Sequence, residues 1–293
     1  ANALVPSAAA WLPGSIVFSA LLGAAGAFWG GRRRVATQEE PDWATALAGV
    51  AVAATFLLLV AGGLVTGNQA GLAVVDWPNS YGYNMFLYPF SRMLGGIYYE
   101  HAHRLLGALV GLTTVTLAVH LAQVETRVVV KRMGFVAVAL VIVQGILGGL
   151  RVTEKSIDLA VVHGVTAQIF LSLLVAIAVL CTRSWRSDRP PLPSRSARTD
   201  RGVASIAVAA LLLQIVFGAI QRHLAAGLML HIVSAFIVAG LTIAAGARAW
   251  GFYPNEPHLK RTGLTVIHAT GTQLALGFLA WIARGAATSG TLS

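Results

Sequence analysis

The sequence predicts an all-α polytopic membrane protein of about eight transmembrane helices, arranged as two pseudo-repeated helix-bundle halves. Three observations lead there. The 293 residues are 56% apolar and only 11% charged, more apolar surface than a soluble domain of that size can bury. Apolar runs long enough to cross a hydrocarbon core of about 30 Å fall at 9–30, 45–66, 98–123, 133–151, 159–182, 202–222, 227–249 and 262–283. The third observation is an internal repeat, described below.

The run at 9–30 has no basic residues before it and "GRRR" after it, so it reads as a retained anchor entering from outside rather than a cleaved leader. With the following loop it forms an extra N-terminal element, 1–44. A first bundle follows over 45–183. Its largest outer connection, 67–97, "GNQAGLAVVDWPNSYGYNMFLYPFSRMLGG", is aromatic and glycine-rich and reads as a lid or interfacial cap. The stretch "RSWRSDRPPLPSRSARTDRG" is rich in Pro, Ser and Arg and marks a linker over 184–201. A second half occupies 202–293.

The net charge of +10 does not point to nucleic acid, because placement matters more than total in a membrane protein. Fifteen of the 21 Lys and Arg residues lie in alternate connections: Arg32 to Arg34, Arg127 to Arg132, Arg183 to Arg201, and Arg248 to Arg261. That side is assigned to the cytoplasm. A bacterial-type plasma membrane, with both termini outside the cytoplasm, is the expected location. Cys181 is the single cysteine, which excludes an internal disulfide and any cysteine-rich iron–sulfur or structural zinc site.

The repeat links "VQGILGGLR…VVHG" to "LQIVFGAIQR…LMLH". Gln144 and Gly148 share their spacing with Gln214 and Gly218, and histidines follow each glutamine by 19 and 17 residues, at His163 and His231. Gln273 and Gly277 repeat the first element again. Repeats in membrane proteins commonly place sites at their interface.

His103, His163 and His231 each fall near the outer start of a helix running inward, so they share a depth. Ionisable residues there are costly and mark function by default; the plain alternative is hydrogen bonding between helices or a headgroup position. Facing imidazoles on neighbouring helices are a usual way to hold haem iron. "ALVGL", "GILGG" and "VFGAI" supply small residues that let helices part around a porphyrin, though close helix packing uses the same residues. Arg104, Arg151 and Arg222 at outer helix ends could hold propionates or simply snorkel. Glu100 shares a helix face with His103 and Arg104, where a carboxylate can orient an imidazole or move protons. His101 lies on a different face. His120 and His258 read as helix-end and loop residues.

Glu-x-x-His-Arg at 100–104, preceded by "GGLVTGNQAGLAVVDWPNSYG" and followed by the two repeat motifs, resembles the haem A synthase family, in its cysteine-free branch, over about residues 50 to 280. The resemblance implies a membrane enzyme of two four-helix halves that oxidises the C8 methyl of haem O to a formyl group, giving haem A for terminal oxidases. It places His103 and His163 around the substrate haem with Glu100 beside them, and His231 on a b-type cofactor haem. A haem O synthase and a terminal oxidase are the implied partners beside the lipid bilayer, and a homo-oligomer is compatible with it. Against the family pattern the chain carries the extra N-terminal helix and stops before the family's last helix, which leaves the second ligand of the cofactor haem open. His223 is one candidate. His268 is another, because "HATGTQ" echoes "HGVTAQ", but at about 1.5 Å per residue it lies roughly 15 Å too deep to pair with His231. A non-catalytic b-type cytochrome, or a haem-delivery subunit for oxidase assembly, is the alternative reading.

Overall fold

The computed structural model describes residues 42–186, 196–253 and 255–290. The expected 9–30 helix and positions 187–195 of the expected linker lie outside them. Eight helices run through the described residues: α1 Trp43–Gly67, α2 Gly96–Val124, α3 Val128–Thr153, α4 Ile157–Cys181, the single turn α5 Arg183–Arg186, α6 Ala197–Leu224, α7 Leu228–Gly251 and α8 Pro257–Gly290. All except α5 are long and apolar enough to span a bilayer. They coincide with the seven runs expected from residue 45 onward, and no strand occurs among the described residues. The polytopic all-helical reading is borne out. α6 starts at Ala197, ahead of its apolar run, because Asp200 in its first turn is tied by the Ser196 hydroxyl at 2.8 Å and by Arg248 at 2.5 Å.

The described residues divide between two compact units, one within Ala1–Ser156 and Phe170–Arg186, the other within Ile157–Ile169 and Ser187–Ser293. In the first, α1 lays Ala44, Ala48 and Ala51 against a buried cluster that includes Leu117, Leu121, Phe170, Leu174 and Ile177. Residues four and three apart face one way on a helix, and alanines there let the backbones approach closely. That matters because lipid offers no hydrophobic drive between helices.

Polar ties close the Arg-rich ends. Asp42 caps α1 by accepting the Thr45 amide at 3.2 Å and pairs with Arg186 at 3.1 Å, while the Thr45 hydroxyl donates to the Cys181 carbonyl at 2.7 Å. Between α2 and α3, Arg127 donates to both Glu125 oxygens, at 3.0 and 2.8 Å, and to the Leu180 carbonyl at 2.8 Å. These bonds, against the opposing effect of burial, hold the Glu125 carboxyl down at about 2.

In the second unit α6, α7 and α8 pack in sequence. Gly246 and Gly263 let α7 and α8 touch backbone to backbone: a Cβ on Gly246 would lie 2.8 Å from the Gly263 carbonyl oxygen. One step along the same contact, the Thr270 hydroxyl donates to that of Thr242 at 3.1 Å.

Candidate functional site

The sequence expectations converge on the N-terminal end of α2, which the connection 68–95 covers as a cap. Its fold begins with a tight turn. Ser80 and Tyr83 exchange backbone hydrogen bonds at 2.9 and 3.1 Å, and the two residues between them, Tyr81 and Gly82, have positive φ of 51° and 76°, as a type I′ turn requires. Glycine adopts that conformation freely and tyrosine does not. The Asp76 carboxylate compensates by accepting both turn amides, from Tyr81 at 2.6 Å and Gly82 at 2.8 Å. Burial pushes the Asp76 carboxyl up, but these amides and the nearby Arg104 charge outweigh it and hold it below the usual range.

α2 then fastens the cap from beneath. Glu100, 4% exposed, accepts the Val74 amide at 2.9 Å through one oxygen and Arg104 at 2.8 Å through the other. The Arg104 guanidinium donates further to the carbonyls of Asp76 at 2.6 Å, Asn79 at 2.9 Å and Val74 at 2.8 Å. The shared face expected from helical spacing here carries a Glu100–Arg104 ion pair, and the pair's further partners are cap backbone. His101, on the other face, is buried beside the Ser80 hydroxyl at 3.1 Å and the Tyr88 ring at 4.9 Å between centroids. α3 adds Arg151, which donates to the Gly71 carbonyl at 3.0 Å, and Gly149, where a Cβ would lie 2.6 Å from atoms of the Trp77 ring.

Below the cap, His103 stands one turn inward from Glu100. Its ring lies over Gly62 of α1, where a Cβ would meet Cε1 at 3.1 Å and Nδ1 at 3.5 Å. The second unit repeats this seat. Over Gly218 of α6, the His231 ring would meet a Cβ at 3.1 Å from Cε1 and 3.5 Å from Nδ1. Gln214, one turn before Gly218, faces His231 Nδ1 at 3.1 Å and donates to the His231 carbonyl at 2.9 Å. The position one turn before Gly62 is Leu58. Two helix pairs therefore present an imidazole over a bare glycine with the same distances.

His103, His163 and His231 are the eighth, seventh and fourth residues of α2, α4 and α7, so each enters within about two turns of its helix start. Arg222 and His223 occupy the last turn of α6. His268 sits twelve residues into α8, exposed, with Nδ1 facing the Leu264 carbonyl one turn back at 2.7 Å. Sequence reasoning missed Gly62, Ser80, Trp77 and the structural use of His101. Gly62 had a legible signal, since Leu58 and Gly62 share the spacing of Gln214 and Gly218.

Fold and site together define a polytopic helical membrane protein with imidazoles near the starts of alternate spans and a polar-stapled cap over the first. Residues 93–234 match the model of the COX15-CtaA family, cytochrome oxidase assembly protein. Over that region, which includes Glu100, His103, His163 and His231 but not His268, the chain is similar to this family, in keeping with the resemblance read from the sequence. No curated protein and no solved structure matches the chain.

Proposed function

We propose that the protein oxidises the C8 methyl of haem O to a formyl group, making haem A for a terminal oxidase. The repeated seat, His103 over Gly62 and His231 over Gly218, carries this reading, together with the family's place in cytochrome oxidase assembly. The donor set suits haem iron, since neutral imidazole is a standard axial ligand. Gly107 and Gly111, one and two turns beyond His103, have nothing within 4 Å of an added Cβ, which leaves that face of α2 without bulk where a flat macrocycle needs it.

In this reading His103 and His163 would position the substrate haem and His231 would hold a b-type haem. Bound haem supplies the one-electron redox chemistry. Glu100, one turn from His103, assists proton movement at the methyl, while Arg104 fixes its carboxylate and the cap shields that end of α2 from water. Arg151 and Arg222 at helix ends are the candidates for holding propionates, and His223 or His268 for a second ligand on the cofactor haem. The haem donor is a haem O synthase, the receiver an oxidase, and the location a bacterial-type plasma membrane with both termini outside.

The direct test is to purify the protein from cells that also make haem O, then extract and identify its pigments by chromatography and mass. Haem A, or haem O oxidised at C8, is the expected result. Haem B alone, with haem O available, would replace this reading with a non-catalytic b-type cytochrome or haem-delivery subunit. His103→Ala and His163→Ala are each expected to abolish haem A formation, read in the same extracts. Full activity in either would remove that histidine from the substrate site.

A further inference from the structure

Two stretches of the cap carry opposite chemistry. Around Val74, Asp76 and Asn79 it offers polar backbone, which Glu100 and Arg104 fasten to α2. Residues 85–94, "MFLYPFSRML", instead present apolar side chains. Phe86, Leu87, Phe90 and Leu94 are between 65% and 75% exposed, more than Leu112 in the α2 span at 64%. Tyr88 alone in the segment is buried, against the His101 ring, and pins it while its neighbours turn out. An apolar patch of this kind marks an interaction surface.

Backbone, charge and position together indicate what covers it. The amides of Phe86, Leu87, Arg92, Met93 and Leu94 all bond within the segment or to Asn84, at 2.9 to 3.1 Å, and Pro89 has none to satisfy. The edge of a hydrocarbon phase demands such self-bonding, and water does not. Between Asp76 and Glu100 the chain has no acidic residue, and Arg92 is its one basic residue. Arg92 lies over the Tyr83 ring at 5.4 Å and donates to its hydroxyl at 3.0 Å. Aromatic, leucine and arginine side chains without acids suit the headgroup level of a membrane. The Leu94 carbonyl accepts the Ile97 amide of the first turn of α2 at 3.2 Å, which joins the segment to the start of a span where Tyr98 is also exposed. We propose that residues 85–94 lie in the headgroup–acyl boundary of the leaflet at the N-terminal end of α2, with Phe86, Leu87, Phe90 and Leu94 against lipid chains. The cap is then fastened twice, to α2 through Glu100 and Arg104 and to lipid through this segment. It is an interfacial structure and not a lid standing in water. The proposal rests on α2 being a span and on no haem ligand.

The test uses the full chain with Cys181 changed to serine, reconstituted in phosphatidylcholine–phosphatidylglycerol vesicles. A nitroxide is attached to single cysteines in Leu87→Cys and Phe90→Cys, with Leu112→Cys as the lipid reference and Lys155→Cys, exposed after α3, as the water reference. Power-saturation EPR compares collisions with oxygen, which concentrates in hydrocarbon, and with a nickel chelate, which stays in water. The labels at 87 and 90 are expected to have the same sign of the oxygen-to-nickel log ratio as Leu112→Cys and the opposite sign to Lys155→Cys. Either position suffices should the other variant not accumulate. A ratio matching Lys155→Cys would put the segment in water and overturn the proposal. Weak collision with both reagents would mean that protein, such as a second copy of the chain, covers the segment, and would overturn it as well.

Discussion

Glycine at 62 and 218 is the smallest change of chemistry with the largest consequence for the two seats. A methyl group at either position would press on an imidazole at 3.1 Å, tighter than ordinary contact, and the ring would have to turn. Gly62→Ala and Gly218→Ala are each expected to cost about 1–3 kcal/mol through overpacking and to lower the haem content of the purified protein, measured by pyridine haemochrome against protein mass. A leucine variant of an exposed neighbour such as Val60 should leave both quantities unchanged. At the Arg-rich end, Glu125 makes a pH prediction. Its carboxyl sits at about 2 in the folded chain against an ordinary 4.5. A depressed carboxyl stabilises the fold above its unfolded value and loses that contribution as the pH falls through the folded one. Detergent-solubilised protein should therefore lose stability between roughly pH 4.5 and 2. Glu125→Gln should shrink that dependence, leaving the share of other depressed carboxylates such as Asp76, while costing about 1.5–3 kcal/mol at neutral pH, both read from thermal melting across pH.

The cap and the α2–α3 ends beneath it form one mechanical element. Arg104 and Glu100 are both buried, with side chains 9% and 5% exposed, so removing the arginine leaves a buried carboxylate and three cap carbonyls without their donor. Arg104→Ala is expected to destabilise the cap by about 3–5 kcal/mol and to open 68–95 to added protease in vesicles whose outer face is exposed, while cleavage elsewhere stays as in wild type. Much of this element was legible beforehand and much was not. Helical spacing alone put Glu100, His103 and Arg104 on one face, and the length of the apolar runs placed every described span. The fastening of Glu100 and Arg104 to Val74, Asp76 and Asn79 was hidden, because the cap follows no period and its course is set by a turn, an aspartate and tertiary carbonyls. His101 was set aside for lying on the wrong face, yet that face meets Ser80 and Tyr88. Gln214 was visible as a repeat marker, but spacing cannot say what an amide touches.

At the scale of the whole molecule, the placement of the basic residues along the sequence assigns the connections on either side of α3 to opposite faces of the membrane. Glu154 and Lys155 follow α3 on the face assigned to the outside, and Thr126 precedes it on the other; Thr126, Glu154 and Lys155 are all exposed. With the one native cysteine, buried Cys181, changed to serine, an impermeant maleimide added to intact cells should label Lys155→Cys and not Thr126→Cys. The reverse pattern would invert the topology and with it the side from which the cap is reached.

The Arg151–Gly71 bond joins residues 80 positions apart, which has a consequence for the order in which the ribosome delivers the protein. The cap leaves the ribosome before α3 exists. Its contacts to α2 become available as soon as α2 follows, but the seat of Trp77 on Gly149 and the Arg151 bond wait for a whole further span. Nascent chains halted just after α2 should therefore carry a cap that proteases still cut, and chains halted after α3 one that they do not. On that expectation the third described span completes the fastening of the cap.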